Sequence, residues 1–180
     1  MNMEELANLM QTLSPAARAD ALNQILVGLD ALIGVRFISA GPEEVIAELT
    51  TSQQHVQPYG LIHGGVYASL GESVCSVGAA LSVLSEGRHA VGAENTTRFL
   101  RAVRPGATLT ATARPIPEAC SGEQHRWTAE MVDQRGRRCA TSDVAVVILA
   151  KDRQIDGEDV SLLGQLRGLS QNPEELITIE

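Results

Sequence analysis

Aromatic side chains are scarce: two Phe, two Tyr and one Trp make up 3% of 180 residues. A core built from this chain must therefore be aliphatic. Cysteine is nearly as rare, and Cys75, Cys120 and Cys139 are odd in number and far apart, which fits reduced thiols rather than a disulfide framework. None of them stands at a metal-ligand spacing from the four histidines, so no metal is expected. Basic residues are outnumbered, 14 Lys and Arg against 22 Asp and Glu, for a net charge of -8. With no basic pattern interleaved with aromatics, nucleic acid is not an expected partner. An uninterrupted hydrophobic run is missing too. The most apolar segment carries Glu72 and many small residues, so no membrane span is expected. The opening MNMEELANLM is acidic and lacks a signal-peptide pattern, and the expected location is cytoplasmic.

What is present centres on that apolar segment. From Gly64 to Ser85, Val66, Leu70, Val74, Val77, Leu81 and Leu84 recur at helical spacing, with Gly, Ala, Ser and Cys between them. A helix apolar nearly all round belongs inside the fold. Glu72 is the only charged residue in the span, and its face continues through Gly65, Ser69, Ser76 and Ala79 or Ala80. Such a face has no large side chain, so it can border a cavity with a carboxylate in its middle. A buried carboxylate without a partner is costly, which makes Glu72 a candidate catalytic group. The plainer alternative is a glutamate that reaches a rim or pairs with an arginine.

The helix starts at His63-Gly64-Gly65. Glycine there allows close approach to the backbone, and free N–H groups at a helix start favour negative charge. A thioester oxygen against the Gly64 N–H would be polarised most strongly as it becomes an oxyanion. Glu72 lies about two and a half turns further on, roughly 12 Å along the axis. The spacing predicts no direct contact within one subunit and points to a site shared by two.

The run QPYGLIHGGVYASLGES, with VGAENTTRFLRAVRPG and DQRGRRCATSDVAVVIL further on, resembles hotdog-fold acyl-CoA thioesterases of the phenylacetate-pathway type, in particular the branch hydrolysing 4-hydroxybenzoyl-CoA and 1,4-dihydroxy-2-naphthoyl-CoA. The resemblance covers residues 34 to 150. It implies an α+β fold, a long central helix wrapped by a curved antiparallel sheet, and an aromatic acyl-CoA substrate, with coenzyme A as part of the substrate and no cofactor. It also implies that Glu72 is the catalytic carboxylate, that the Gly64 N–H holds the thioester oxygen with Gln57 and His63 shaping that pocket, and that Ser76 assists the water or the acyl group. A homo-oligomer, a dimer of dimers, is the implied assembly. Two positions depart from the pattern: Thr96 and Phe99 stand where relatives of the naphthoyl type often have Asn and His. A non-catalytic acyl-CoA-binding protein and a thioesterase for aliphatic chains are the alternatives. A hydratase would want an Asp and His pair that is not evident near the helix.

Charge is uneven. Nine arginines face five acids between Arg88 and Arg138, whereas three basic residues face seven acidic ones from Lys151 onward. The arginine-rich part suits the phosphates of coenzyme A. Arg98, Arg101, Gln124 and His125 are its candidate contacts, with Gly65 and Ser69 lining the acyl group. In the segment Ser121 to His125, Glu123 is acidic where relatives often carry hydroxyl or basic residues.

The remaining pattern gives three parts: an N-terminal helical extension over 1–33, the main domain over 34–150, and an acidic extension over 151–180. Ser14-Pro15 caps a helix near 15 to 31 with an apolar stripe of Leu22, Ile25, Leu26, Leu29 and Leu32. Strands are expected near 34–39, 43–51, 89–103, 107–117, 123–133 and 137–150. A short helix is expected around Leu162, Leu163, Leu166 and Leu169.

Overall fold

A computed structural model of the chain describes residues 8 and 10–150 and two short paired strands, Gln154–Ile155 and Glu158–Asp159. The expected helix around Leu162 to Leu169 lies outside the described residues. Helices α1 (Pro15–Gln24) and α2 (Gly28–Ile33) lead into strands β1 (Val35–Ala40) and β2 (Val45–Thr50). A 3-10 turn at Gln53–His55 precedes the long helix α3 (Gly64–Val83). Strands β3 (His89–Phe99), β4 (Thr108–Pro115), β5 (Gln124–Asp133) and β6 (Arg138–Leu149) follow. The six strands form one antiparallel sheet in the order β1-β2-β4-β5-β6-β3. Its inner face wraps α3, which is the hotdog arrangement.

Helix α3 buries Val66, Tyr67, Leu70, Gly71, Val74, Cys75, Gly78, Ala79 and Val83, a stripe that repeats every three to four residues. Trp127, Phe37, Leu49, Leu109, Met131 and Ile148 fill the space opposite. With so few aromatics, close approach supplies much of the packing. A Cβ on Gly78 would stand 2.3 Å from the Trp127 ring, and one on Gly71 would stand 2.2 Å from Ser142 Oγ. The helix and sheet therefore meet backbone to side chain at two levels.

Helix α3 together with the 3-10 turn that follows it, Gly64–Glu86, is long and apolar enough by length and composition to cross a membrane, with a mean hydropathy of 1.3 over its best window. A helix buried in a core passes the same test, so the expectation of no membrane span is not overturned by these values. The sheet takes up the face that carries Leu70, Val74 and Ala79, all fully buried.

Three expectations change. The helix near 15 to 31 is two helices, because Gly28 adopts a left-handed φ of 64° where α2 begins. Leu29 and Leu32 are 56% and 73% exposed instead of packing with Leu22 on the core. Strand β3 stops at Phe99 rather than near 103, since the N–H groups of Leu100 and Arg101 both donate to the Cys139 carbonyl and the chain leaves the ladder. The Ser14 cap is present, with Ala17 N–H donating to its hydroxyl. Asn23 then fastens α1 to β1 by a pair of 2.8 Å bonds to the main chain of Phe37.

Replacing Gly78 by Ala adds a methyl group where the Trp127 ring has no room to retreat. Overpacking of this kind costs about 1–3 kcal/mol, more than the helix propensity that alanine restores. Urea unfolding of Gly78→Ala is expected to show a lowered midpoint with an unchanged slope.

Candidate active site

Among the described residues strand β3 is an edge strand, paired only with β6. It carries a bulge between Gly92 and Glu94, and such a bulge re-aims the side chains beyond it. From there Asn95, Thr97 and Phe99 face α3, while Glu94, Thr96 and Arg98 alternate to the outer face. Asn95 Nδ2 donates to the Ala68 carbonyl at 3.0 Å and to Glu72 Oε2 at 3.2 Å. Its Oδ1 accepts from Thr97 Oγ1 at 2.7 Å. Because Thr97 has one hydroxyl proton, the buried Ser142 hydroxyl donates to it across 2.7 Å. A chain of four polar groups thus runs from the core to the carboxylate. Gly92 completes the seat: a Cβ there would stand 3.1 Å from Glu72 Oε1.

Glu72 is exposed, which corrects the expectation of a buried carboxylate. The apolar stripe of α3 faces the sheet, and the Glu72 face emerges at the open edge of β3. Ser76 lies on that same face and is partly covered.

At the helix start, His63 is the cap residue, and its Nδ1 accepts from Gly65 N–H at 2.9 Å. The neighbouring Gly64 N–H has no acceptor among the described residues. A Cβ on Gly64 would meet the Phe99 ring at 2.8 Å, so only glycine leaves that ring in place. Gly64, Gln57 and Arg101 line one cleft of about 310 Å³ with Tyr67, Phe99 and Leu100. Tyr67 is 3% exposed, its hydroxyl has no partner among the described residues, and burial pushes its pKa up to about 12.

His63, Gly65 and Ser69 line a second cleft of about 280 Å³ on the other side of the helix start, walled by Leu29, Ile33, Val56 and Val66. Gln124 and His125 line a third, of about 610 Å³, with Glu94, Glu123 and Arg126. Burial and the Arg88 guanidinium lower the His125 pKa. Arg126 is engaged by Glu94 at 3.0 Å and Asp143 at 3.3 Å. Arg98 lies on the outer face and lines none of the three clefts. The candidate residues therefore fall into separate groups within one chain, with Gly64 and Glu72 at different stations along α3. Among the described residues, no three His, Cys, Asp or Glu side chains cluster as metal ligands.

Sequence reasoning missed Asn95, Gly92 and Asp30. Alternation put Asn95 on one side of a strand but could not show what that side touches. Asp30 falls within the expected N-terminal helix but outside its apolar stripe, and α2 sets it against α3, where Ser73 Oγ lies 2.5 Å from its Oδ1. Ser73 Oγ also lies 2.9 Å from the Ser69 carbonyl. The single Ser73 hydroxyl proton is shared between these two acceptors. Burial raises the Asp30 pKa, against the lowering effect of Ser73, and the Glu72 charge raises it further.

A carboxyl whose pKa is raised on folding contributes stability at low pH and loses it as pH rises through the folded value. Asp30→Asn mimics the protonated form. Its melting temperature is expected to exceed that of the natural chain at pH 7, and the gap is expected to close as pH falls below the ordinary aspartate value of 3.8. An unchanged gap across that range would contradict the assignment.

The chain is similar to proteins of known family. Residues 59–140 match the thioesterase superfamily. The chain is 30% identical over 132 residues to the 1,4-dihydroxy-2-naphthoyl-CoA hydrolase of Escherichia coli K12, covering 72% of this chain and 93% of that one. It is 31% identical over 132 residues to the proofreading thioesterase EntH of Cronobacter sakazakii, again over 72% and 93% of the two chains. The crystal structure of S. sahachiroi AziG superposes with a TM-score of 0.65 at 30% identity, over 69% of this chain and 98% of that one. With the helix, the wrapped sheet and the carboxylate at its open edge already in place, these likenesses show that the chain belongs to the thioesterase superfamily and is a hotdog-fold thiolester hydrolase.

Proposed function

We propose that the chain hydrolyses an aromatic acyl-CoA to the free acid and coenzyme A, in sites shared by two subunits. The observation that carries this reading is the disposition of α3: a free Gly64 N–H at its start, and an exposed Glu72, held by Asn95, at the open edge of β3. A second copy added at that edge brings its own helix start toward Glu72. Tyr59, Phe99 and Leu100, 86%, 60% and 52% exposed, supply apolar surface for such an assembly. A dimer is the minimum, and a tetramer of two dimers is the full form proposed.

In the shared site the thioester oxygen rests against the Gly64 N–H of one subunit, with Gln57 and His63 beside it. His63 accepts at Nδ1, so in its neutral form the ring proton is on Nε2 and can be donated. Glu72 of the other subunit attacks the carbonyl carbon, or takes a proton from a water that does. Negative charge moves to the oxygen, where the N–H donors stabilise it more than they stabilise the ground state. The carbon–sulfur bond then breaks, and the thiolate leaves with little need of an acid; where Glu72 was the nucleophile, water hydrolyses the resulting anhydride to the free acid and restores the carboxylate, so one carboxylate suffices. Ser76, on the same face as Glu72, orients the water. Arg101 stands in the Gly64 cleft with a charge suited to coenzyme A phosphates. The Gln124 and His125 cleft is a further candidate contact, although its acidic neighbours weaken its attraction for anions. The acyl group lies along the small face of Gly65 and Ser69. The proposed setting is cytoplasmic, without nucleic acid, membrane or cofactor.

Glu72→Gln keeps size and removes charge and basicity. Assayed by thiol release from a panel of aromatic and aliphatic acyl-CoAs, the natural chain is expected to favour benzoyl-type or hydroxynaphthoyl-type substrates over palmitoyl-CoA by at least about tenfold in kcat/KM. The variant is expected to lose at least about 10²-fold in kcat with its circular dichroism unchanged. Near-normal turnover would remove Glu72 from the mechanism. A preference for long aliphatic chains would overturn the aromatic assignment alone.

A further inference from the structure

The cleft beside the helix start holds a second histidine that the mechanism above does not use. His55 ends the 3-10 turn Gln53–His55 and is only 7% exposed. Its Nδ1 accepts from Ser52 N–H at 2.9 Å. In a neutral imidazole one nitrogen accepts and the other carries the proton, so this bond assigns the proton to Nε2. Nothing among the described residues accepts from that Nε2.

His63 is fixed in the same tautomer by Gly65 N–H. Its own main-chain N–H donates to the His55 carbonyl at 2.8 Å, which ties the two residues side by side. Both line the cleft of about 280 Å³. The mechanism places His63 at the thioester end. Leu29, Ile33, Val56 and Val66 line the same cleft and offer no acceptor, and the two acceptor side chains there, Gln54 and Ser69, take no bond from the His55 ring. A fixed N–H in such surroundings favours a ligand oxygen, because a hydrocarbon placed there leaves a desolvated donor unpaired.

We propose that His55 is a specificity-determining residue whose Nε2–H donates to an oxygen on the acyl group, remote from the thioester. The preferred substrates are then oxygen-bearing aryl thioesters rather than hydrocarbon ones of equal size. The inference rests on the acyl-CoA hydrolase reading and sharpens it. Hydroxyl and carboxylate oxygens share the acceptor chemistry. A site arranged to hydrogen-bond a substrate discriminates far more strongly than an apolar pocket does by size.

The test compares 4-hydroxybenzoyl-CoA with 4-methylbenzoyl-CoA, two rings of nearly equal size of which only the first carries a distal oxygen. The natural chain is expected to favour the first by at least about tenfold in kcat/KM. In His55→Asn the amide oxygen can replace Nδ1 as acceptor from Ser52, but there is no Nε2–H. The preference is then expected to shrink to within about threefold, a ratio that does not depend on the fraction of enzyme folded. A ratio unchanged in the variant, or near one in the natural chain, overturns the assignment of His55 while leaving the hydrolase reading intact. Failure to hydrolyse either thioester or any other acyl-CoA overturns both. Should the variant not fold, nitrogen-15 NMR of the natural chain decides. The His55 Nε2 resonance is expected to move when 4-hydroxybenzoate binds and not when 4-methylbenzoate does, and a resonance unmoved by both overturns the proposal.

Discussion

The close approach of α3 to the sheet is the constraint on which the rest of the structure depends. Gly78 lets the Trp127 ring, and Gly71 the Ser142 hydroxyl, occupy space that any Cβ would take. A chain with five aromatic residues cannot prop helix and sheet apart with large side chains, so it draws them together with small ones. That closeness has a chemical consequence. Ser142, pressed against Gly71, is the inner end of the hydrogen-bonded series through Thr97 and Asn95 to Glu72. The contact that packs the core also sets the position of the carboxylate.

The two ends of the proposed site are built by different means. At Glu72, a bulge and a glycine in β3 clear room and an asparagine fixes one oxygen. At the helix start, His63 and His55 each take one main-chain N–H on Nδ1. Capping thereby fixes their tautomers without a carboxylate partner. The Gly64 N–H is left over because the His63 cap bonds to Gly65 instead. Local rules for starting a helix thus leave one donor free where a carbonyl oxygen can use it.

Much of this was legible in the sequence. The period of Val66, Leu70 and Val74 located α3 to within two residues, and alternation placed all six strands of the main sheet. The His63-Gly64-Gly65 start and Glu72 stood out because residue type and helical spacing alone mark them. Periodicity fails where one residue changes the course of the chain. Gly28 breaks the first helix through its left-handed backbone, and the Cys139 carbonyl draws off the end of β3 by taking two N–H groups. The bulge at Gly92 and Glu94 is invisible to alternation, so Asn95 could not be linked to Glu72. Asp30 escaped notice because it reaches α3 from 43 positions away in sequence. Glu72 was expected to be buried because a helix apolar on most sides suggests burial on all sides, whereas an edge strand leaves one face open.

That open face makes the central claim one about assembly: Glu72 works with the Gly64 N–H of a second subunit. Gly64→Pro deletes this N–H at the first residue of a helix, where proline suits the backbone, although its Cβ displaces the Phe99 ring, itself 60% exposed. His63, with ψ at 139°, already has the extended backbone that a following proline requires. The most direct measurement mixes Glu72→Gln chains with Gly64→Pro chains, each inactive alone, and assays hydrolysis after subunit exchange verified by mass spectrometry. In a shared site, half of the dimers are mixed and each holds one intact site of two, so activity returns to roughly a quarter of the natural level. If exchange is complete and no activity returns, Glu72 and Gly64 act within one chain and the account is contradicted.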